Sequence, residues 1–185
     1  MNYQYKDLED QVRNSYSNIF WTEKIYIKEL GILKKIENRF KIYHIVLGVI
    51  TSSASISALK FDFWYIKWGL VIAALLHTGL SIYLKKFKIT EEIIKFDLGR
   101  KLLWEVREEY LNLLNDIKIA EKDIFSLSKE RTRLTKLTSK IYLKTPDTSS
   151  KGYLEAKKDI ENGNYNFEDD NEIDKLLPVN LRRYN

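Results

Sequence analysis

Two apolar runs without a formal charge, residues 42–59 and 68–84, lie almost back to back in a chain in which 31% of residues are charged. As helices they reach about 25–27 Å, close to the ~30 Å hydrocarbon core of a bilayer. Residues 60–67 connect them, enough to turn the chain at a membrane surface and too few for a folded outer domain. The pattern predicts a transmembrane hairpin with the working mass of the protein on one side. The competing soluble arrangement, a helical hairpin buried in a globular core, needs more apolar surroundings than these solvated flanks supply.

Composition narrows the chemistry. The chain of 185 residues has no cysteine, which excludes disulfides and thiolate metal sites, and only two histidines, which argues against a His-rich metal centre. No cofactor is expected. A net charge of +5, spread along the chain, is weak support for nucleic-acid binding. Residues 1–38 carry charges throughout and hold no short apolar core, so no cleavable secretory leader is expected.

Charge also sets an orientation. Residues 22–41 contain six Lys/Arg and residues 85–101 another six, whereas the connector has Lys60 and Lys67 partly offset by Asp62. The positive-inside bias therefore predicts a multi-pass membrane protein with both termini in the cytoplasm and the connector outside. Aromatic residues collect where the interfaces fall: Phe40 and Tyr43 at the entry, Phe61, Phe63, Trp64, Tyr65 and Trp68 around the outer turn, Tyr83 and Phe87 at the exit.

Around the hairpin the chain divides into an N-terminal cytoplasmic helix (2–41), the spans (42–84), an amphipathic helical region (85–144) and a polar tail (145–185). The predicted class is an all-α membrane protein. In the first segment Ile19, Phe20, Ile25, Ile27, Leu30, Leu33, Ile36 and Phe40 recur at helical spacings, and no proline or glycine interrupts the passage into the first run. In the third, Ile89, Ile93, Phe96, Leu103, Val106, Tyr110, Leu114 and Ile117 form a stripe whose phase slips near Asp116–Asp123, which reads as two helices or one with a stutter. Such a stripe seeks either the N-terminal helix or a second copy. Pro146 and its turn-forming neighbours end the region. The tail then offers a short helix near 152–162, an acidic loop at 168–172 and a last helix at 172–177 stopped by Pro178. It holds nine Asp/Glu against seven Lys/Arg from Tyr142 onward, and either lies on the basic helical region or acts as a mobile arm.

No catalytic constellation emerges. A glycine-rich phosphate loop and a nucleophile elbow are missing, and the acidic loop lacks the interior glycine and alternating spacing of a calcium loop. Enzymatic activity is not expected. Arg131, Arg133, Lys136 and Lys140, followed by Lys144, form a cationic stretch that is either a solvated helix face or a contact for a nucleotide, another anionic ligand or a partner. The less usual chemistry lies within the runs. Thr51, Ser52, Ser53, Ser55 and Ser57 crowd the first, where Gly48, Thr51, Ser52 and Ser55 share a face, and the second presents Ala74, His77, Thr78 and Ser81 together. A symmetric turn places His77, the middle of the second run, near Ile50–Ser52, while His44 sits near the cytoplasmic end of the first. Hydroxyl and small residues serve either as packing glue between helices or as a water-accessible pore lining. A pore requires a homo-oligomer, since one hairpin encloses nothing.

The order of helix, tight two-span hairpin, long helix and polar tail resembles the SLATT superfamily, the two-transmembrane effector domains associated with bacterial SMODS and SLOG systems. Leu47-Gly48-Val49-Ile50-Thr51-Ser52-Ser53-Ala54, the exit Leu84-Lys85-Lys86-Phe87, Leu102-Leu103-Trp104 with Tyr110, and the closing Glu172-Ile173-Asp174-Lys175-Leu176-Leu177-Pro178 carry the likeness. The resemblance implies an antiphage effector of the bacterial inner membrane, a stand-alone member that oligomerises and permeabilises the bilayer in abortive infection. Its trigger would be a nucleotide signal or a cytoplasmic partner, such as a nucleotide-producing enzyme or reverse transcriptase encoded nearby. A non-conducting anchor that recruits a cytoplasmic partner is the alternative.

Overall fold

The computed structural model describes residues 3–60, 63–162 and 170–183, with the side chains of residues 54–60, 66, 84–87 and 170–172 outside the description. Every regular element among the described residues is helical: α1 (Tyr3–Lys60), α2 (Trp64–Phe87), α3 (Ile89–Ile119), α4 (Ile124–Lys144), α5 (Ser150–Asn162), α6 (Asp170–Leu176) and a 3-10 turn (Val179–Leu181).

The breaks follow local chemistry. Helix α2 ends at Lys88 in the left-handed region (φ 46°), and α3 restarts at once with Glu91 and Glu92 in its first turn, where carboxylates complement the positive helix end. The predicted phase slip is a true break. Ala120 turns left-handed (φ 56°), and Asp123 caps α4 by accepting from the Ser126 amide at 3.0 Å. Helix α4 stops at Thr145, just before Pro146.

The chain divides into two compact units. The first comprises residues 1–30 and 94–185. Its core runs at alternating three- and four-residue steps: Leu8, Val12, Tyr16, Ile19, Tyr26 and Leu30 on α1 and Phe96, Leu103, Val106, Tyr110, Leu113 and Ile117 on α3 are all buried. Leu127, Leu134 and Ile141 of α4 and Gly152, Ala156 and Ile160 of α5 continue it at seven- and four-residue intervals. This is the packing of helices crossing at a shallow angle. The stripe on α3 thus finds its partner within the chain: Phe96 meets Tyr26 edge-on with ring centroids 5.3 Å apart, and Arg107 binds Glu23 at 2.7 Å. Gly99 is needed for close approach, because a methyl group there would come within 2.6 Å of the Thr145 hydroxyl.

The described C-terminal residues 173–183 fold onto α1, while the acidic loop expected at 168–172 lies largely outside the described residues. Arg13 and Asp174, each side chain 4% exposed, form a buried ion pair, and Arg13 also donates to the Leu181 carbonyl at 3.0 Å. Arg183 reaches Glu9 at 2.9 Å and Asp10 at 2.5 Å, and the Tyr16 hydroxyl donates to the Leu176 carbonyl at 3.0 Å.

The second unit, residues 31–93, holds the rest of α1, all of α2 and the start of α3. With α1 ending at Lys60 and α2 starting at Trp64, the connector is shorter than the sequence predicts. Lys60 and Trp64 through Lys67 are helical because nothing in their composition breaks a helix. Among the described residues no helix is long and apolar enough to cross a membrane. The described side chains take in residues 42–53 of the first apolar run and 68–83 of the second.

Candidate functional site

The polar residues of the two apolar runs meet in the second unit. Phe40, His44, Leu47 and Thr51 on α1 and Leu70, Ala73, His77, Leu80 and Ser81 on α2 are half-buried at three- and four-residue spacings. The contacts set the register: Phe40 lies against Tyr83 (5.3 Å between ring centroids), and His44 against His77 (4.2 Å) and Ser81 (3.1 Å). His77 therefore faces His44 instead of Ile50–Ser52, about two helical turns away from the expected pairing. The shortened connector moves the midpoint of the hairpin and accounts for part of the shift.

The hydrogen bonds in this cluster have one consistent direction. The Ser81 hydroxyl donates to the His77 carbonyl at 2.9 Å. Its oxygen is then free to accept from His44 Nε2 at 3.1 Å, which in the neutral form of that ring leaves Nδ1 as the acceptor nitrogen. His77 Nε2 faces this Nδ1 at 3.4 Å.

The remaining residues singled out in the runs take other positions. Thr51 and Ser52 turn their hydroxyls back onto their own helix, donating to the Leu47 carbonyl at 2.7 Å and the Gly48 carbonyl at 2.9 Å. Ser52 is exposed, and Gly48 is half-buried with open space where a side chain would begin. Thr78 and Ala74 are exposed, and the Ser55 side chain lies outside the described residues. The large apolar side chains also face out: Ile45 is 65% exposed, Val49 61%, Leu75 68% and Ile82 61%.

In the first unit the cationic stretch on α4 is partly occupied. Arg133 is clamped by Glu130, at 2.7 Å, and by Glu109, and both carboxylates raise its affinity for its proton. Arg131 is half-buried, while Lys136 and Lys140 are exposed. Deeper in the unit, burial raises the Glu23 carboxyl above its ordinary range, opposed by Arg107. Among the described residues no group of three or more potential metal ligands is present.

A family model, the SMODS and SLOG-associating 2TM effector domain family 4, matches residues 8–172. The chain belongs to this family. No curated protein and no solved structure matches it. For this SLATT chain the family supplies a class, a defence-associated effector domain with two membrane segments in its description. His44 escaped the sequence-level choice of site residues. The available signal was that both histidines of the chain lie inside apolar runs, where a half-buried polar group requires a partner.

Proposed function

We propose that this chain is a bacterial membrane effector. Its hairpin enters the inner membrane with both flanks in the cytoplasm, copies associate, and the assembled hairpins permeabilise the bilayer when a cytoplasmic partner or nucleotide signal triggers them. The observation that carries this reading is the inverted polarity of the second unit. Its imidazoles and the Ser81 hydroxyl turn toward each other, while Ile45, Val49, Leu75, Ile82 and other large apolar side chains turn outward. In water this arrangement leaves an apolar surface far larger than a monomer tolerates, whereas in lipid it costs nothing.

Two further observations support the topology and the assembly. Residues on both sides of the hairpin belong to the same unit, so a bilayer holding the hairpin leaves both flanks on one face. The exposed Ser52, Thr78 and Gly79 provide small and hydroxyl groups of the kind that bring membrane helices together.

The test is membrane potential and dye entry in cells expressing the chain together with its genomic neighbours, with crosslinking of the inner-membrane fraction in parallel. The expected result is depolarisation that coincides with crosslinked oligomers and is lost on combined substitution of Ser52, Ser55 and His77 by leucine. Tight membranes around inserted, crosslinked oligomers would instead indicate a non-conducting anchor.

A further inference from the structure

We propose that His44 and His77 form a binding site for a divalent transition-metal ion of the zinc class, which clips α1 to α2. This inference rests on the geometry of the histidine pair and is independent of the membrane reading.

The chain has two histidines, and the fold brings them together from positions 33 residues apart on different helices. The facing nitrogens, His77 Nε2 and His44 Nδ1, are 3.4 Å apart. That is longer than the about 2.9–3.0 Å usual for an N–H···O hydrogen bond. It agrees with the edge of a tetrahedron around a metal ion: with metal–nitrogen bonds of about 2.0–2.1 Å, two ligand nitrogens stand roughly 3.3–3.4 Å apart.

The proton arrangement suits the same role. His44 commits Nε2–H to Ser81, which leaves the Nδ1 lone pair directed at His77. A ligating imidazole whose other N–H is held by a polar partner is the usual construction of a metal site, because the partner fixes both tautomer and ring orientation. His77 becomes a ligand by carrying its proton on Nδ1 in place of Nε2, with no change of charge. Two imidazoles select Zn²⁺, Ni²⁺ or Cu²⁺ over Mg²⁺ and Ca²⁺, which prefer oxygen ligands. Both histidines are half-buried, so water can complete the coordination sphere, as can the equivalent pair of a second copy.

The experiment uses the full chain without a histidine tag, in detergent micelles, with Zn²⁺ as the probe. Equilibrium dialysis should show saturable uptake of one ion per chain, or one per two chains if copies share it, that survives excess Mg²⁺. His44→Gln and His77→Gln should each abolish uptake. Ser81→Ala, which keeps both ligands and loses the orienting acceptor, should retain it with about 10–100-fold weaker affinity. X-ray absorption at the zinc edge of the unsubstituted protein guards against variants that fail to fold. It should count two imidazole nitrogens, or four if two copies share the ion. Absence of saturable uptake, a zinc shell without imidazole, or uptake retained by the double Gln variant would overturn the proposal.

Discussion

Truncating Asp174 to alanine tests the tail's attachment most directly. Arg13 and Asp174 are among the few buried charges in the first unit, at 3% exposure each. Asp174 accepts from the Arg13 guanidinium through one oxygen and from the Arg183 amide, at 2.9 Å, through the other. In Asp174→Ala the Arg13 cation keeps its bond to the Leu181 carbonyl and has Glu9 at 3.6 Å, a poorer match than the lost carboxylate. Removing one member of a buried pair costs about 3–5 kcal/mol, and Glu9 places the expected value near the lower end. About 3 kcal/mol corresponds to roughly a hundredfold change in a local opening equilibrium. Hydrogen exchange read by mass spectrometry should therefore show peptides spanning 174–183 and the first turns of α1 exchanging about a hundredfold faster, with α2 peptides unchanged as an internal reference. The double variant Arg13→Met with Asp174→Leu, which leaves no buried charge, should return to within about 1 kcal/mol of the parent. Exchange in Asp174→Ala within threefold of the parent, or an equal acceleration in α2, would refute the reasoning.

Three more outcomes follow from packing and capping. Gly152→Ala should lower stability despite alanine's gain of about 1 kcal/mol in a helix, since the added methyl group strikes the buried Glu29 carboxylate that accepts from the Ser149 amide. Combining it with Glu29→Ala should relieve the clash, read as a partial recovery of the thermal midpoint by near-ultraviolet circular dichroism. Leu134→Ala, at a site 0% exposed, should cost about 2–5 kcal/mol in denaturant titration, and a loss below about 1 kcal/mol would show that the middle of α4 is not core. The Ser126 hydroxyl and amide hold the Asp123 carboxyl below its ordinary range. A depressed folded value means a stabilising effect present above the unfolded pKa of about 3.9 and lost as pH falls through the folded value. NMR of the Ser126 amide should accordingly show the start of α4 fraying in acid, and Asp123→Asn, a cap that does not titrate, should remove that dependence.

Much of the architecture was legible because period and punctuation agree. Phe96, Leu103, Val106, Tyr110, Leu114 and Ile117 announce a buried face by spacing alone, and each is buried. The slip near Asp116–Asp123 marks a real break, since Asp123 is a good cap and Ala120 a tolerable turn residue. The core of α1 was harder to read. Its face includes Ser17 and the buried charges Arg13, Glu23 and Glu29, and partners from distant parts of the chain make the burial of those charges tolerable. The register of the hairpin was missed for a local reason. Charged and aromatic residues around position 64 read as a turn, yet none of them breaks a helix, so α2 starts earlier and His44 becomes the partner of His77. The cationic stretch on α4 reads as open in sequence, where Glu109 is remote from Arg133, and the fold brings the two together.

The attachment of the tail to α1 also orders events during synthesis. Arg13 waits for Asp174, which lies 161 positions later, and Glu9 waits for Arg183, 174 positions later. Residues 31–93 are complete before either partner has been made. At about 5–20 residues per second, the interval before residue 183 is added is roughly 5–18 s. Through that interval the apolar helices exist while the first unit cannot close. Synthesis of residues 31–93 is thus separated in time from completion of the first unit, and on the membrane reading proposed above the bilayer receives these helices before the residues that tie down α1 have been made.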